Sequence, residues 1–250
     1  MKPSISIITV THNSEKLVSR CIDSIYSQDY DDFEHIIVDA YSIDNTIKKI
    51  DRLLYKKSTI FYREKKGIYD AINFALSKCN GKIIGLLHSD DYLYSNDIFS
   101  SIASTFDKNP DCNAIYGNIN YISLKNKVIR RWISTKFSSK KIKYGWMPPH
   151  TSFYLKRNIY DSIGLYDTSF KISSDYEFLL RFLTSNYNNC IYLNKFIVNM
   201  TIGGQSNKNL ISLINKSRED YQIIKKYKLM GFVTLILKIS SKINQFFNVS

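Results

Sequence analysis

Residues 85–93 read GLLHSDDYL: an apolar run that stops at a serine and two adjacent carboxylates, Asp90 and Asp91. Neighbouring carboxylates repel one another, so their placement at the end of a buried strand calls for a compensating partner. A turn capped by Asp is one reading. A divalent cation is the other, because Mg2+ and Mn2+ take hard oxygen ligands. The choice depends on what else the chain brings to the same place. Polar clusters at His12–Asn13, Asp39 and Arg63–Lys65 also follow short apolar runs.

The elements that would position these groups alternate through the first half. SISIITVT (4–11), FEHIIVDA (33–40), STIFYRE (58–64) and GKIIGLLHSDD (81–91) read as strands. Between them, residues 14–28, 45–57 and 67–79 carry apolar groups at helical spacing. Such alternation implies right-handed crossovers and a mostly parallel central sheet flanked by helices. Ligands sit beyond the carboxyl ends of strands in sheets of this kind. All four polar clusters fall at those ends.

The second half is less regular. A helix is expected at 97–109, a strand at 113–123 leading into the basic hairpin LKNKVIRRWIS, and a Pro-Pro turn and strand at 146–157. A helix at 173–186 and a strand at 190–202 follow. From about Ser212 the chain reads as two helices. In the last, Leu229, Phe232, Val233, Ile236, Ile243 and Phe247 form an apolar stripe, opposed by Lys238, Ser241, Lys242 and Gln245. Lys225, Lys226 and Lys228 precede it. This helix suits an anionic bilayer surface; packing on the body of the protein or on a second subunit is the alternative. The expected division is a main domain at 1–210, with halves 1–95 and 96–210, and a helical segment at 211–250.

With 250 residues, 44% of them hydrophobic and 23% charged, the composition is that of a folded chain with a sizeable core. A formal charge of +13 favours anionic partners. Aromatics interleaved with a basic stripe are absent, which argues against a nucleic-acid module. Cys21, Cys79, Cys112 and Cys190 lie far apart and form no disulfide or zinc pattern, as in a reducing compartment. No stretch reaches the roughly 18 apolar residues of a spanning helix, and the opening MKPSISIITVTHN does not read as a signal peptide. A cytoplasmic location is expected.

Five segments together carry a resemblance: SIITVTHNS (6–14), VDAYSIDNT (38–46), EKKGIYDAINFAL (64–76), LLHSDDYL (86–93) and SSDYEFLLR (173–181). In order and spacing they resemble the inverting glycosyltransferases of family 2, with the GT-A nucleotide-sugar fold, and among them bacterial enzymes of O-antigen, capsule or exopolysaccharide synthesis. The resemblance implies a metal-dependent transferase that uses a UDP-hexose or UDP-N-acetylhexosamine. Its acceptor would be a polyprenyl-diphosphate-linked saccharide at the cytoplasmic face of the membrane. It makes Asp91 the direct ligand of Mn2+ or Mg2+, with Asp90 nearer the ribose, and puts Thr11, Asn13 and Asp39 around the base. Asp70 and Asn73, three residues apart on one helical face, would turn toward the uridine and its diphosphate, with Lys65 near a phosphate. Asp175 matches the general base, Glu177 is the near alternative, Arg181 is a pairing partner for either, and His150 lies near the acceptor. Gly203 and Gly204 resemble a late loop that closes over the diphosphate.

Local alternatives accompany these roles. Asp44 can cap a helix, Ser173 or Ser174 can cap the helix that begins at Asp175, and Asn13 can simply turn the chain. The family pattern has glycine after the residue matching Asp39, whereas Ala40 and Tyr41 stand here. A nucleotidyltransferase would share the layout but wants a glycine-rich loop after the first strand, and no glycine precedes Gly67. A non-catalytic membrane-associated protein is the remaining alternative, and a homodimer is compatible with the tail.

Overall fold

The computed structural model describes residues 4–53, 57–202, 210–242 and 245. Four strands make the parallel half: β1 (Ile5–Thr11), β2 (Phe33–Asp39), β3 (Ser58–Tyr62) and β4 (Ile83–Leu86), in the spatial order β3-β2-β1-β4. The β-branched residues of β1, β2 and β4 bury on both faces, as strands covered on both sides by crossover helices require, while the edge strand β3 is only partly covered. The helices are α1 (Val18–Tyr26), α2 (Thr46–Leu53) and α3 (Ile68–Leu76). Val18, Cys21, Ile22 and Ile25 are the buried face of α1, and Tyr69, Ile72, Ala75 and Leu76 that of α3. Because β2 and β4 flank β1 on opposite sides, the chain reverses direction across the sheet there. The crevice opens beyond the ends of β1 and β4.

Beyond β4 the sheet becomes mixed. β8 (Tyr154–Lys156) runs antiparallel to β4, β6 (Ala114–Ile122) antiparallel to β8, and β9 (Cys190–Thr201) parallel to β6. β7 (Val128–Trp132) completes the basic hairpin with β6. The fourth strand stops at Leu86. Residues 88–91 turn, closed by the Asp91 amide donating to the His88 carbonyl at 2.9 Å. The chain then enters β5 (Tyr92–Leu93), which pairs with β9 at the far side of the sheet. The acidic pair is thus held between two distant strands.

Four elements were not apparent from the sequence pattern: β5, α5 (Ser139–Ile142), α6 (Arg157–Ile163) and a 3-10 turn at His150–Ser152. The turn replaces the beginning of the strand expected at 146–157. Pro148 and Pro149 lack amide hydrogens, and the Ser152 hydroxyl reaches both the Pro149 and Gly117 carbonyls at 3.0 Å, which curls the chain. α4 (Ile98–Lys108) and α7 (Ser174–Thr184) form as the spacing predicts.

The two last helices, α8 (Leu210–Lys226) and α9 (Phe232–Ser240), pack on the body. Ile223, Ile224 and Leu235 join the main core. α9 turns its part of the apolar stripe, Phe232, Val233 and Ile236, away from the body. Its polar face turns inward: Lys238 pairs with Asp220 at 2.7 Å, both side chains only 5% exposed, and its ammonium lies 3.2 Å from the centroid of the Tyr176 ring. Thr234 donates to the Lys143 carbonyl at 2.7 Å. The apolar face looks outward, with Phe232 63% and Ile236 60% exposed. No described helix is long and apolar enough to cross a membrane.

Close approach of α9 depends on Gly145, which adopts φ +79° and whose missing Cβ would lie 2.6 Å from the Lys238 amide nitrogen. The Cα and Cβ of Lys238 would lie at 2.8 Å, and none of the three atoms is a flexible side-chain end. Gly145→Ala is expected to cost about 2–4 kcal/mol through backbone strain and overpacking. That corresponds to a melting temperature lower by roughly 5–15 °C for a chain of this size, and amide exchange should show the protection lost first along α9.

Candidate active site

Asp91 lies in the turn after β4 and is 1% exposed. Its Oδ1 accepts the Thr201 amide at 3.0 Å, while its Oδ2 has no hydrogen-bond partner among the described residues. Burial, reinforced by the neighbouring charge of Asp90, drives this carboxyl well above the usual carboxylate range. A buried carboxylate with one open oxygen and a second carboxylate beside it fits a divalent cation. No cluster of three or more His, Cys, Asp or Glu that could hold a metal exists among the described residues. A cation here would complete its coordination from substrate phosphates and water, as Mg2+ commonly does.

Beside this turn, the ends of β1 and β2 are laced together. Asp39 is fully buried, its two oxygens accepting the Ser42 amide at 2.7 Å and the Ser42 hydroxyl at 2.6 Å. Tyr41 takes φ +52°, the left-handed conformation that a glycine would adopt without cost, and its ring stacks on Tyr62 at 6.0 Å. The departure from the family pattern is therefore absorbed at Tyr41. Asn13, at φ +51°, accepts the Ile43 amide at 3.0 Å and closes the loop from the other side. Asp44 accepts the Thr46 amide at 2.9 Å, the capping role expected of it. Thr11 is buried and its hydroxyl lacks a partner among the described residues, so it is open to a ligand.

Across the crevice, Asp175 occupies the first turn of α7. His150 Nδ1 lies 3.1 Å from its Oδ2 and the Tyr69 hydroxyl 3.1 Å from its Oδ1. Burial pushes the Asp175 carboxyl up, but His150, Lys216 and Lys238 outweigh it and hold it below the usual carboxylate range. Burial also drives the His150 ring down to about 4, against the pull of Asp175. His150 Nδ1 is placed to donate to this carboxylate, and Lys216 and Lys238 add positive charge to its surroundings. The His88 ring stands 5.9 Å from that of His150. His88 belongs to the acidic turn, so the two histidines connect the Asp91 side of the crevice to the Asp175 side.

The structure does not bring every expected residue to this line. Glu177 is fully buried and spent: it accepts Arg181 Nη2 at 2.6 Å, Lys226 Nζ at 2.8 Å and the Tyr227 hydroxyl at 2.7 Å. Arg181 also donates to the Ile163 and Leu165 carbonyls at 2.7 and 2.8 Å. Glu177, expected as an alternative base, is turned into the core two residues beyond Asp175, and Arg181 is its pairing partner as expected; both tie α7 to its surroundings. Asp70 is held by a two-point ion pair with Arg63 at 2.7 and 3.1 Å. Asn73 exchanges two hydrogen bonds with the Tyr166 backbone at 2.8 and 3.0 Å. Both are engaged within the protein. Lys65 is exposed. Gly203 and Gly204 lie outside the described residues. Sequence reasoning missed His88, although it stands inside the LLHSDDYL segment, and Tyr69, inside GIYDAIN. It also missed Lys216, which no motif marks.

Solved structures define the class first. S. aureus TarS 1–349 in complex with UDP-GlcNAc aligns with a TM-score of 0.69 at 18% identity, over 90% of this chain and 65% of that one. The mannosyltransferase PcManGT from Pyrobaculum calidifontis, in complex with GDP-Man and Mn2+, aligns with a TM-score of 0.67 at 18% identity, over 90% and 64%. The fold is that of a GT-A glycosyltransferase, and this chain spans about two-thirds of those chains. A PGL/p-HBAD biosynthesis glycosyltransferase of Mycobacterium bovis (strain BCG / Pasteur 1173P2) is 27% identical over 182 residues, covering 72% of this chain and 69% of its own length. The sequence profile of Glycosyl transferase family 2 matches residues 6–174, and the chain belongs to that family.

The division of labour between the two α7 carboxylates can be read from stability. Glu177→Gln removes the charge from a buried three-donor centre and is expected to lower unfolding free energy by about 3 kcal/mol. Asp175→Asn, at a group still partly open to the crevice, should cost about 1 kcal/mol or less, within the usual spread for such changes. Urea denaturation of both variants checks the ranking.

Proposed function

We propose that this protein transfers a hexose or N-acetylhexosamine from a nucleotide-diphosphate sugar, a UDP-sugar, to a saccharide acceptor with inversion at the anomeric carbon. The observation that carries the reading is the line Asp91–His88–His150–Asp175. It sets a buried carboxylate with one open oxygen opposite a second, separately stabilised carboxylate. Asp91, with Asp90 beside it, would hold Mn2+ or Mg2+, and the bound cation would offset charge on the leaving diphosphate. In this reading Thr11, Asn13 and Asp39 receive the base. Asp175 accepts the proton of the acceptor hydroxyl as its oxygen bonds to the anomeric carbon; the bond to the diphosphate breaks with its electron pair leaving on the phosphate oxygen. His150 keeps the Asp175 carboxylate oriented, and the Tyr69 hydroxyl is shared between that carboxylate and the Ile172 carbonyl, at 3.1 and 2.7 Å. The TarS and PcManGT complexes with nucleotide sugars support the donor class.

The acceptor in this reading is polyprenyl-diphosphate-linked and is met at the cytoplasmic face of the membrane, in surface-polysaccharide synthesis. Two features support it. Lys216 and Lys238 bring positive charge to the acceptor-side carboxylate. Besides the outward face of α9, Ile211, Leu213 and Ile214 of α8 are exposed, as are Lys225 and Lys228. A helix pair with apolar groups outward and cations at its edge suits a peripheral position on anionic lipid.

Calorimetry of UDP with and without Mn2+ tests the donor site: Mn2+ should strengthen binding at least tenfold, and Asp91→Ala should remove that dependence. Absence of UDP binding in both conditions sinks the UDP-sugar assignment. For the membrane role, removal of residues 229–250 is a poor probe, because it strips Asp220 of Lys238 and opens the core. The paired change Phe232→Ser and Ile236→Ser, on the outward face alone, should release the protein from anionic vesicles. If vesicle binding persists, or if the pair instead dissolves a dimer, the face has another occupant.

A further inference from the structure

The acidic turn is fastened to the rest of the molecule by a residue from α1 that no motif marks. Arg20 donates from Nη2 to the Thr201 hydroxyl at 2.7 Å, with the Asp90 carbonyl at 3.5 Å, and from Nη1 to Asn126 Oδ1 at 2.5 Å. Its guanidinium lies 4.3 Å from the centroid of the Tyr92 ring. One planar fork thus joins α1 to the acidic turn, to the end of β9 and to the β6–β7 turn. The Thr201 hydroxyl accepts from Arg20, so its own proton is directed to the Asp90 carbonyl, at 2.5 Å. The Thr201 amide meanwhile holds Asp91 Oδ1. A single residue of β9 therefore grips Asp90 by its backbone and Asp91 by its side chain, and Arg20 fixes the orientation of that residue.

We infer that Arg20 and Thr201 are positioning residues for the divalent cation, a clamp that holds one oxygen of Asp91 so that only the other is left for the metal. This rests on Asp91 as the metal ligand. Three points carry it. The Asp91 carboxylate is asymmetric, with one oxygen bonded and one open. The bond comes from a backbone amide, which cannot itself change with side-chain identity, so the clamp must act by placing that amide. Finally, the guanidinium is an unlikely neighbour for a cation unless its geometry matters more than its charge. An arginine repels the metal it stands near, and a fork that spans Thr201 and Asn126 cannot be replaced by a lysine point charge. Outer hydrogen-bond partners of metal ligands commonly control affinity by 10- to 100-fold.

Mn2+ affinity, read as free Mn2+ by electron paramagnetic resonance with and without UDP, tests the clamp on the folded chain without turnover. Thr201→Val keeps the amide and nearly the shape but removes the hydroxyl, and should weaken Mn2+ about tenfold; Thr201→Ser should restore it to within about threefold. Arg20→Met should also weaken Mn2+, although it removes a repelling charge, and Arg20→Lys should fail to restore it. Loss of affinity in Asp91→Ala together with unchanged affinity in Thr201→Val overturns the clamp and leaves the metal site standing. Unchanged affinity in Asp91→Ala overturns the metal site itself. Stronger Mn2+ binding in Arg20→Met would show that Arg20 acts by charge alone, and the positioning role would fall.

Discussion

A carboxylate buried with one oxygen bonded and the other bare is the constraint around which this molecule is arranged. Removing a charge from water is costly unless a partner is supplied, and Asp91 has only the Thr201 amide within the described protein. Burial makes that carboxylate hard to ionise on its own and keeps water from it. The parallel sheet supplies the depth. β1 and β4 end side by side at the point where strand order reverses, and the turn after β4 drops the aspartates into the gap. The mixed half supplies the second wall, and with it Asp175.

Polar residues around the crevice divide into two populations. Asp39, Asp70, Asn73 and Glu177 have their hydrogen-bonding capacity largely committed to neighbours, which sets loop shape and helix packing. Thr11 and Asp91 retain a buried atom without a hydrogen-bond partner among the described residues, at the end of β1 and in the turn after β4. Residue type alone does not separate the two populations. Glu177 and Asp175 stand two positions apart on one helix. A 3.6-residue period turns them to different sides, one toward Arg181, Lys226 and Tyr227 and the other toward His150.

This explains how far the sequence could be read. The parallel half was legible because buried strands and amphipathic helices alternate with clear periods, and β1 to β4 with α1 to α3 appear where those periods place them. β5 is two residues long, too short to carry a period, and β8 keeps only three residues of the strand expected at 146–157; both are fixed by partners distant in sequence. Periodicity shows that α9 has two faces but not which one is inward. The inward face was decided by Gly145, Asp220 and Tyr176, none of which belongs to the helix. Motif spacing likewise named Asp175 and Asp91 but gave no hint of Arg20 or Lys216, whose contacts are set by the folded path of the chain.

The long span between Asp91 and the amide that holds it has a consequence for how the protein comes into being. The two residues are 110 positions apart, and β5 has no partner until β9 exists. At a synthesis rate of roughly 5–20 residues per second, the acidic turn waits about 5–20 s between its own appearance and that of Thr201. The nascent parallel half therefore spends that interval with its two aspartates hydrated and charged. The acidic turn takes its final surroundings only when the last strand of the sheet reaches it.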